Sequence, residues 1–290
     1  MKKLISCLIV MTLLPVAFMV GCNDKAPSSP RGSGSPTATP IITGTPATLT
    51  VTRTPTNTAT PTATATGTIT PSVGTATAQP TQAAVVLGTA GTYAVLAGSA
   101  ITDAGEVICG DYGISPGSTE TGSPYAFSPS CSSSVANIAN AAAANAQSDL
   151  NLAYNDALGR LNPTPVPTVA VGDIGGEILY PGLYSASSIG ITGPVTLDGQ
   201  NASNPVFIFQ ISSTLITGTS SSVTLINGAT APNVIWQVGS SATLGTSSSL
   251  AGIILAKSAI TFNTGATLEG RALAETAAVV FDGLNFITNP

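Results

Sequence analysis

Only 7% of the 290 residues are charged, and there is no histidine. From Val85 to the end, twelve acidic residues stand against three basic ones (Arg160, Lys257 and Arg271), a net charge of −9. Nucleic-acid binding needs Lys and Arg to neutralise phosphates, so that class of partner is excluded. The same scarcity removes most acid–base and metal chemistry, so neither a cofactor nor a catalytic site is expected.

In chain order, residues 1–22 read as an export signal. Lys2 and Lys3 precede an apolar run from Leu4 to Val20. The run ends at Met19-Val20-Gly21-Cys22, which resembles a bacterial lipobox, with Met19 where leucine is more usual. Acylation of Cys22 would tie the exported chain to a membrane and display it at the cell surface. A plain signal peptide with an incidental cysteine is the alternative. Residues 23–84 form a Pro/Thr/Ala/Ser tract with too little apolar surface to offset its ordering entropy. Its prolines favour an extended, semi-stiff spacer, read either as a stalk or as a linker without specific purpose.

The folded domain is expected over residues 85–290. A Gly/Pro-rich stretch from Asp103 is bracketed by Cys109 and Cys131, the two cysteines of the exported domain. Export permits a disulfide between them, whereas a metal site would need further ligands. The spacing then predicts a helix over Ser132–Leu161, capped by one of Ser132–Ser134. Its stripe would be Val135, Ile138, Ala142, Ala146, Leu150, Ala153, Ala157 and Leu161. From Gly175 onward the pattern is all β, with strands such as Val206–Ile211 and Val234–Val238. Trp236 reads as core.

Three stretches repeat: ITGTSSSVTLI from Ile216, TLGTSSSLAGI from Thr243 and TFNTGATLEGR from Thr261, with a partial fourth, VFDGLNF, from Val280. Leu244, Phe262 and Phe281 share an apolar column, which Thr217 breaks. Val223, Leu250 and Leu268 share a second, and Thr219, Thr246 and Thr264 form a polar column between them. Such columns are what stacked coils of a β-solenoid show, since no coil buries its own face. A β-sandwich with Gly/Ser turns is the alternative. The first step, 27 residues against 18 for the next, suggests a coil and a half through an insertion or uneven coils.

YAVLAGSAIT from Tyr93, GDYGISPG from Gly110, ANAQSDLNLAYNDA, ITGPVTLDGQN and the C-terminal stretch from NVIWQVGSS to VVFDG carry a resemblance. The domain is similar to the ice-binding proteins of cold-adapted bacteria, fungi and algae. That resemblance implies a mainly β fold, a discontinuous right-handed β-solenoid with three faces, one long helix alongside and a loop-rich cap. It implies one flat face that binds ice, with thermal hysteresis and inhibition of ice recrystallisation. Several members carry a loose Thr-Ala/Gly-X-Thr/Asn motif there. Thr264-Gly265-Ala266-Thr267 fits it, and Thr217-Gly218-Thr219-Ser220 and Ser258-Ala259-Ile260-Thr261 nearly do.

With Leu244, Phe262 and Phe281 pointing inward, strand alternation points Thr243, Gly245, Thr261 and Asn263 outward, with Ala259 and Ser241 two positions before. Thr219, Thr246 and Thr264 share the inward parity if the strand runs straight, or mark a corner. The expected partners are ice and, through Cys22, a membrane; a monomer is expected. The rival readings are a surface adhesin or glycan-binding module on a stalk, and an acid-cluster enzyme, for which Asp173, Glu177, Asp198, Glu269, Glu275 and Asp282 form no paired motif.

Overall fold

The computed structural model describes residues 81–289 apart from 103, 106, 123–130, 132–133 and 167–171. The Cys22 anchor and nearly all of the Pro/Thr tract lie outside the described residues. The domain is a parallel β-solenoid of three faces, and its chain enters the stack inside it, near one end. Strands Tyr93–Ala97, Ala100–Thr102 and Val107–Cys109 make one coil, and Asp111–Ile114, Thr119–Thr121 and Ala136–Ile138 add strands beyond it. The helix α1 (Ala141–Gly159) follows. Coils from Ile178 to Thr288 then stack back until the last meets the first, with Ala272 beside Val95, Val279 beside Ile101 and Ile287 beside Ile108. The solenoid is therefore discontinuous in sequence, as expected.

The predicted columns are real. Leu244, Phe262 and Phe281 stack in register inside the coil, all at most 2% exposed. Val223, Leu250 and Leu268 are buried, and Val195, Ile287 and Ile108 extend their column. Tyr184, Phe209 and Trp236 stack at centroid distances of 5.3 and 4.1 Å. The Trp236 indole donates to Ala251 O at 3.0 Å, so its polar edge is satisfied inside the core. Thr217 does not break its column. It is buried, accepts from Gly245 N at 2.8 Å and donates to Ser248 Oγ at 2.8 Å.

Three expectations need correction. The helix starts at Ala141 instead of Ser132, because Ala136–Ile138 pairs in parallel with Asp111–Ile114 and Ala139 turns at φ 49°. The cap is Asn140, whose side chain accepts from Ala143 N at 2.9 Å. The buried stripe is Ala143, Ala146, Leu150, Ala153, Tyr154 and Ala157, so Val135, Ile138, Ala142 and Leu161 lie outside it. Nineteen residues make a helix of about 28 Å. Finally, the 27-residue step is one coil. Residues 227–233 bulge out at a corner that Ser249–Ala256 and Thr267–Ala274 turn without a break.

Cys109 and Cys131 are bridged, 22 residues apart, joining the Val107–Cys109 strand to the loop beyond it. Closing such a loop stabilises by about 3 kcal/mol through the unfolded chain. The Cys109→Ser/Cys131→Ser variant is therefore expected to melt several degrees lower. A calorimetric Tm equal to that of wild type would contradict this.

Candidate ice-contact face

The three faces differ in what covers them. The helix face runs from Gly182–Ala186 through Phe207–Ile211 and Val234–Val238 to Tyr93–Ala97 and Asp111–Ile114. The α1 stripe packs on Leu183, Ile208, Ile235, Ile253, Leu255 and Leu273. Polar contacts frame it. Gln210 Nε2 donates to the last α1 carbonyls, of Ala157 and Leu158, at 2.9 and 3.0 Å. Lys257 pairs with Glu275 and lies 5.2 Å from the Tyr154 ring.

The notched face holds Pro194–Asp198, Ser222–Ile226, the first halves of Ser249–Ala256 and Thr267–Ala274, and Phe286–Thr288. The Ala229–Pro232 loop stands at its edge, at the corner with the helix face, and lines a pocket there with Val223, Thr224, Leu225 and Glu269. Glu269 is exposed, and Asp198 accepts from Asn227 Nδ2 at 2.8 Å. This face is neither flat nor free of charge.

The third face has seven strands among the described residues: Ile189–Ile191, Leu215–Thr217, Ala242–Leu244, Ile260–Phe262, Val279–Phe281, Ala100–Thr102 and Thr119–Thr121. Among the described residues no helix or loop packs over it. Six steps of about 4.8 Å give a surface roughly 29 Å long. Glu120 is the one charged residue within these strands. It takes the inward parity of Ile101 at the end of the stack, where Tyr112 reaches it at 3.4 Å.

The alternation read from the sequence places Thr243 and Thr261 outward, side by side on neighbouring strands. Ser241 and Ala259 lie one row before them, and Gly245 and Asn263 one row after, level with Asp282. Five of the six expected residues therefore share this open face, and Gly245 is buried where it abuts the backbone of the neighbouring coil. Gly245 is required there, because a Cβ would stand 2.4 Å from Thr217 O. Thr219, Thr246 and Thr264 do not join them. They sit exposed in the turns between the open and notched faces, each followed by a left-handed residue: Ser220, Ser247 and Gly265. The Thr264–Thr267 motif lies at that corner too, with Ala266 buried. Of the three motif matches, Ser258–Thr261 alone lies along the open face, with Ala259 and Thr261 outward and Ile260 buried.

Sequence reasoning missed Ile216, Val280, Thr102 and Thr121, which share the central row with Gly190, Thr243 and Thr261. A signal for Thr102 was present. The tetrapeptide Ser99-Ala100-Ile101-Thr102 recurs as Ser258–Thr261, and the two occupy equivalent positions on either side of Val279–Phe281.

A family model described as ice-binding-like matches residues 95–286. This chain belongs to the ice-binding protein family. An ice-binding protein of a Nostoc strain is 44% identical over 200 residues, 68% of this chain and 71% of the relative. One of Colwellia is 38% identical over 212 residues, covering 68% and 81%. The crystal structure of an ice-binding protein from an Antarctic biological consortium superposes with a TM-score of 0.66 at 42% identity, over 72% of this chain and 93% of that one. A glycosylated ice-binding protein from an Arctic yeast gives 0.64 at 28% identity, over 73% and 97%. The likeness to solved ice-binding proteins thus extends over most of the described domain.

The Asp149 carboxyl is held below its ordinary pKa by Thr89, whose hydroxyl and backbone N–H donate to it at 2.6 and 2.7 Å. At Asp173, burial acts to raise the pKa but is outweighed by hydrogen bonds from Thr192 and Gly175, and the net direction is down. A carboxyl depressed in the folded state stabilises it above the unfolded-chain pKa, and loses that contribution as pH falls through the folded one. With no histidine, the side chain that ordinarily titrates near neutrality is missing. Stability is therefore expected to be flat from about pH 5 to 8 and to fall below about pH 4. Thermal unfolding across that range checks it; a Tm that drops between pH 7 and 5 would sink it.

Proposed function

We propose that the domain binds ice through the open face, giving thermal hysteresis and inhibition of ice recrystallisation. The observation that carries this is the face itself. It is the one face with neither a helix over it nor a pocket-lining loop at its edge among the described residues, and its outward side chains in the strands are small or β-branched and uncharged. Stacked strands hold them at a regular spacing of about 4.8 Å, and a β-branched side chain is stiff at χ1. Water over such a surface meets a fixed pattern, where mobile charged chains would hold their own hydration. The reported likeness to proteins described as ice-binding supports the reading. The test is thermal hysteresis, recrystallisation and ice-affinity partitioning of the purified protein. Binding to glycans without any ice activity would reverse it in favour of a glycan-binding module.

We further propose that the protein is exported and held at the cell surface through an acylated Cys22, with residues 23–84 as a spacer. The Gly21-Cys22 junction after an apolar run supports this. Several acyl chains hold a protein where one would not. Cys22→Ser is expected to move the protein from the membrane fraction to the soluble fraction, and equal membrane retention of the variant would refute the anchor.

A further inference from the structure

Lys257 is the one lysine between residue 85 and the end, and it stands in a polar seam between α1 and the solenoid. Its Nζ pairs with Glu275 Oε2. The same oxygen accepts from Asn151 Nδ2, on α1, at 3.2 Å. One carboxylate oxygen thus touches both an amine and a side-chain amide. Asn155, one helical turn further on, donates through Nδ2 to Asn151 Oδ1 at 3.0 Å and to Asn151 O at 2.8 Å. The Tyr154 ring stands 5.2 Å from Lys257 Nζ.

An ion pair alone explains little of this. The Glu275 side chain is 5% exposed, and its Oε1 is buried with no hydrogen-bond partner. Burying a carboxyl with one oxygen unsatisfied costs stability. A pair whose lysine side chain is 43% exposed returns little of that cost. What the arrangement does supply is the parts of an acyl transfer. Lys257 is the nucleophile, Glu275 the proton carrier, the Asn151 carboxamide the electrophile, and Asn155 Nδ2 a donor aimed at the oxygen where negative charge would develop.

We propose that Lys257 and Asn151 join in an intramolecular isopeptide bond, which the folded chain forms by itself. Glu275 Oε2 takes a proton from the Lys257 ammonium, and the freed amine attacks Asn151 Cγ. The flexible stem of lysine carries Nζ from the carboxylate to the amide beside it. Folding supplies the proximity that lets so unreactive an amide be attacked, and Asn155 Nδ2 holds the oxyanion on Oδ1. The Cγ–Nδ2 bond then breaks as Glu275 gives its proton to the departing nitrogen. Glu275 takes the surplus proton from the new amide nitrogen and passes it to the ammonia, which leaves as ammonium. A lysine ammonium and a carboxamide become a secondary amide and ammonium, with no oxidant or reductant. The bond fastens α1 to the coil strand Ser249–Ala256 and closes a loop of about 100 residues.

The test is protease mapping of the purified full chain by mass spectrometry, with circular dichroism as the check on folding. Wild type is expected to hold Asn151 and Lys257 in one branched peptide, about 17 Da lighter than its two linear parts together. Lys257→Arg keeps a cation beside Glu275 but offers no amine, and Asn151→Ala removes the electrophile. Both are expected to give linear peptides only and to melt about 10 °C below wild type. Glu275→Gln keeps both reacting side chains and is expected to leave them unjoined. Linear Asn151 and Lys257 peptides from the wild-type protein would overturn the proposal, whatever the variants do. A branched peptide in Glu275→Gln at the wild-type yield would overturn the role given to Glu275.

Discussion

Thr261→Tyr is expected to abolish most of the thermal hysteresis while the melting temperature stays within about 2 °C of wild type. Thr261 is paired on both sides, with Thr243 and with Val280, so it lies inside the open face, away from its edges. Its side chain points outward, between the buried Ile260 and Phe262. A tyrosine there removes no core contact. It does raise an aromatic ring several ångströms above a row of methyls, and a flat crystal surface then meets the ring before it meets the face. The matched control is Thr224→Tyr, an exposed outward position on the notched face, which should leave hysteresis intact. Full hysteresis in the Thr261→Tyr protein would move the ice contact to another face.

The largest effect on folding is expected from Gly270→Val. Ser249–Ala256 and Thr267–Ala274 each turn from the notched face onto the helix face as unbroken strands, and they turn at Gly252 and Gly270, which pair with each other. Gly270 has φ +153° and Gly252 φ +122°, conformations that a β-branched residue avoids. A Cβ on Gly270 would stand 1.8 Å from Gly252 O. The atom it meets is backbone in the centre of the stack, so no side chain can swing away. Strain and overpacking together cost on the order of 4 kcal/mol, a large part of the stability of a domain of this size. The variant is expected to be insoluble or to melt at least about 10 °C lower. A Gly270→Val protein with an unchanged denaturation midpoint would show that the corner is softer than its geometry implies.

Much of this was available from local pattern. Alternation along a strand has a period of two, so once Leu244, Phe262 and Phe281 were inward, Thr243 and Thr261 had to point out, and the structure agrees. The disulfide partners followed from there being two cysteines, Cys109 and Cys131, between residue 85 and the end. The low charge and the absence of histidine removed most chemistry before any fold was considered. Local pattern failed where a tertiary contact replaced it. Ala136–Ile138 carries an acceptable helix stripe, yet it pairs as a strand because Asp111–Ile114 offers an edge. Thr219, Thr246 and Thr264 look like one polar row, but each precedes a left-handed residue, and the chain has already turned the corner. Parity says which way a side chain points; it does not say which strands lie side by side. Only the stacking decided that Ala100–Thr102, far earlier in the chain than Val279–Phe281, would complete the same face. Only the positions of α1 and of the Ala229–Pro232 loop decided which of three faces remained open and flat, because covering or notching a face is a matter of packing between segments far apart in the chain.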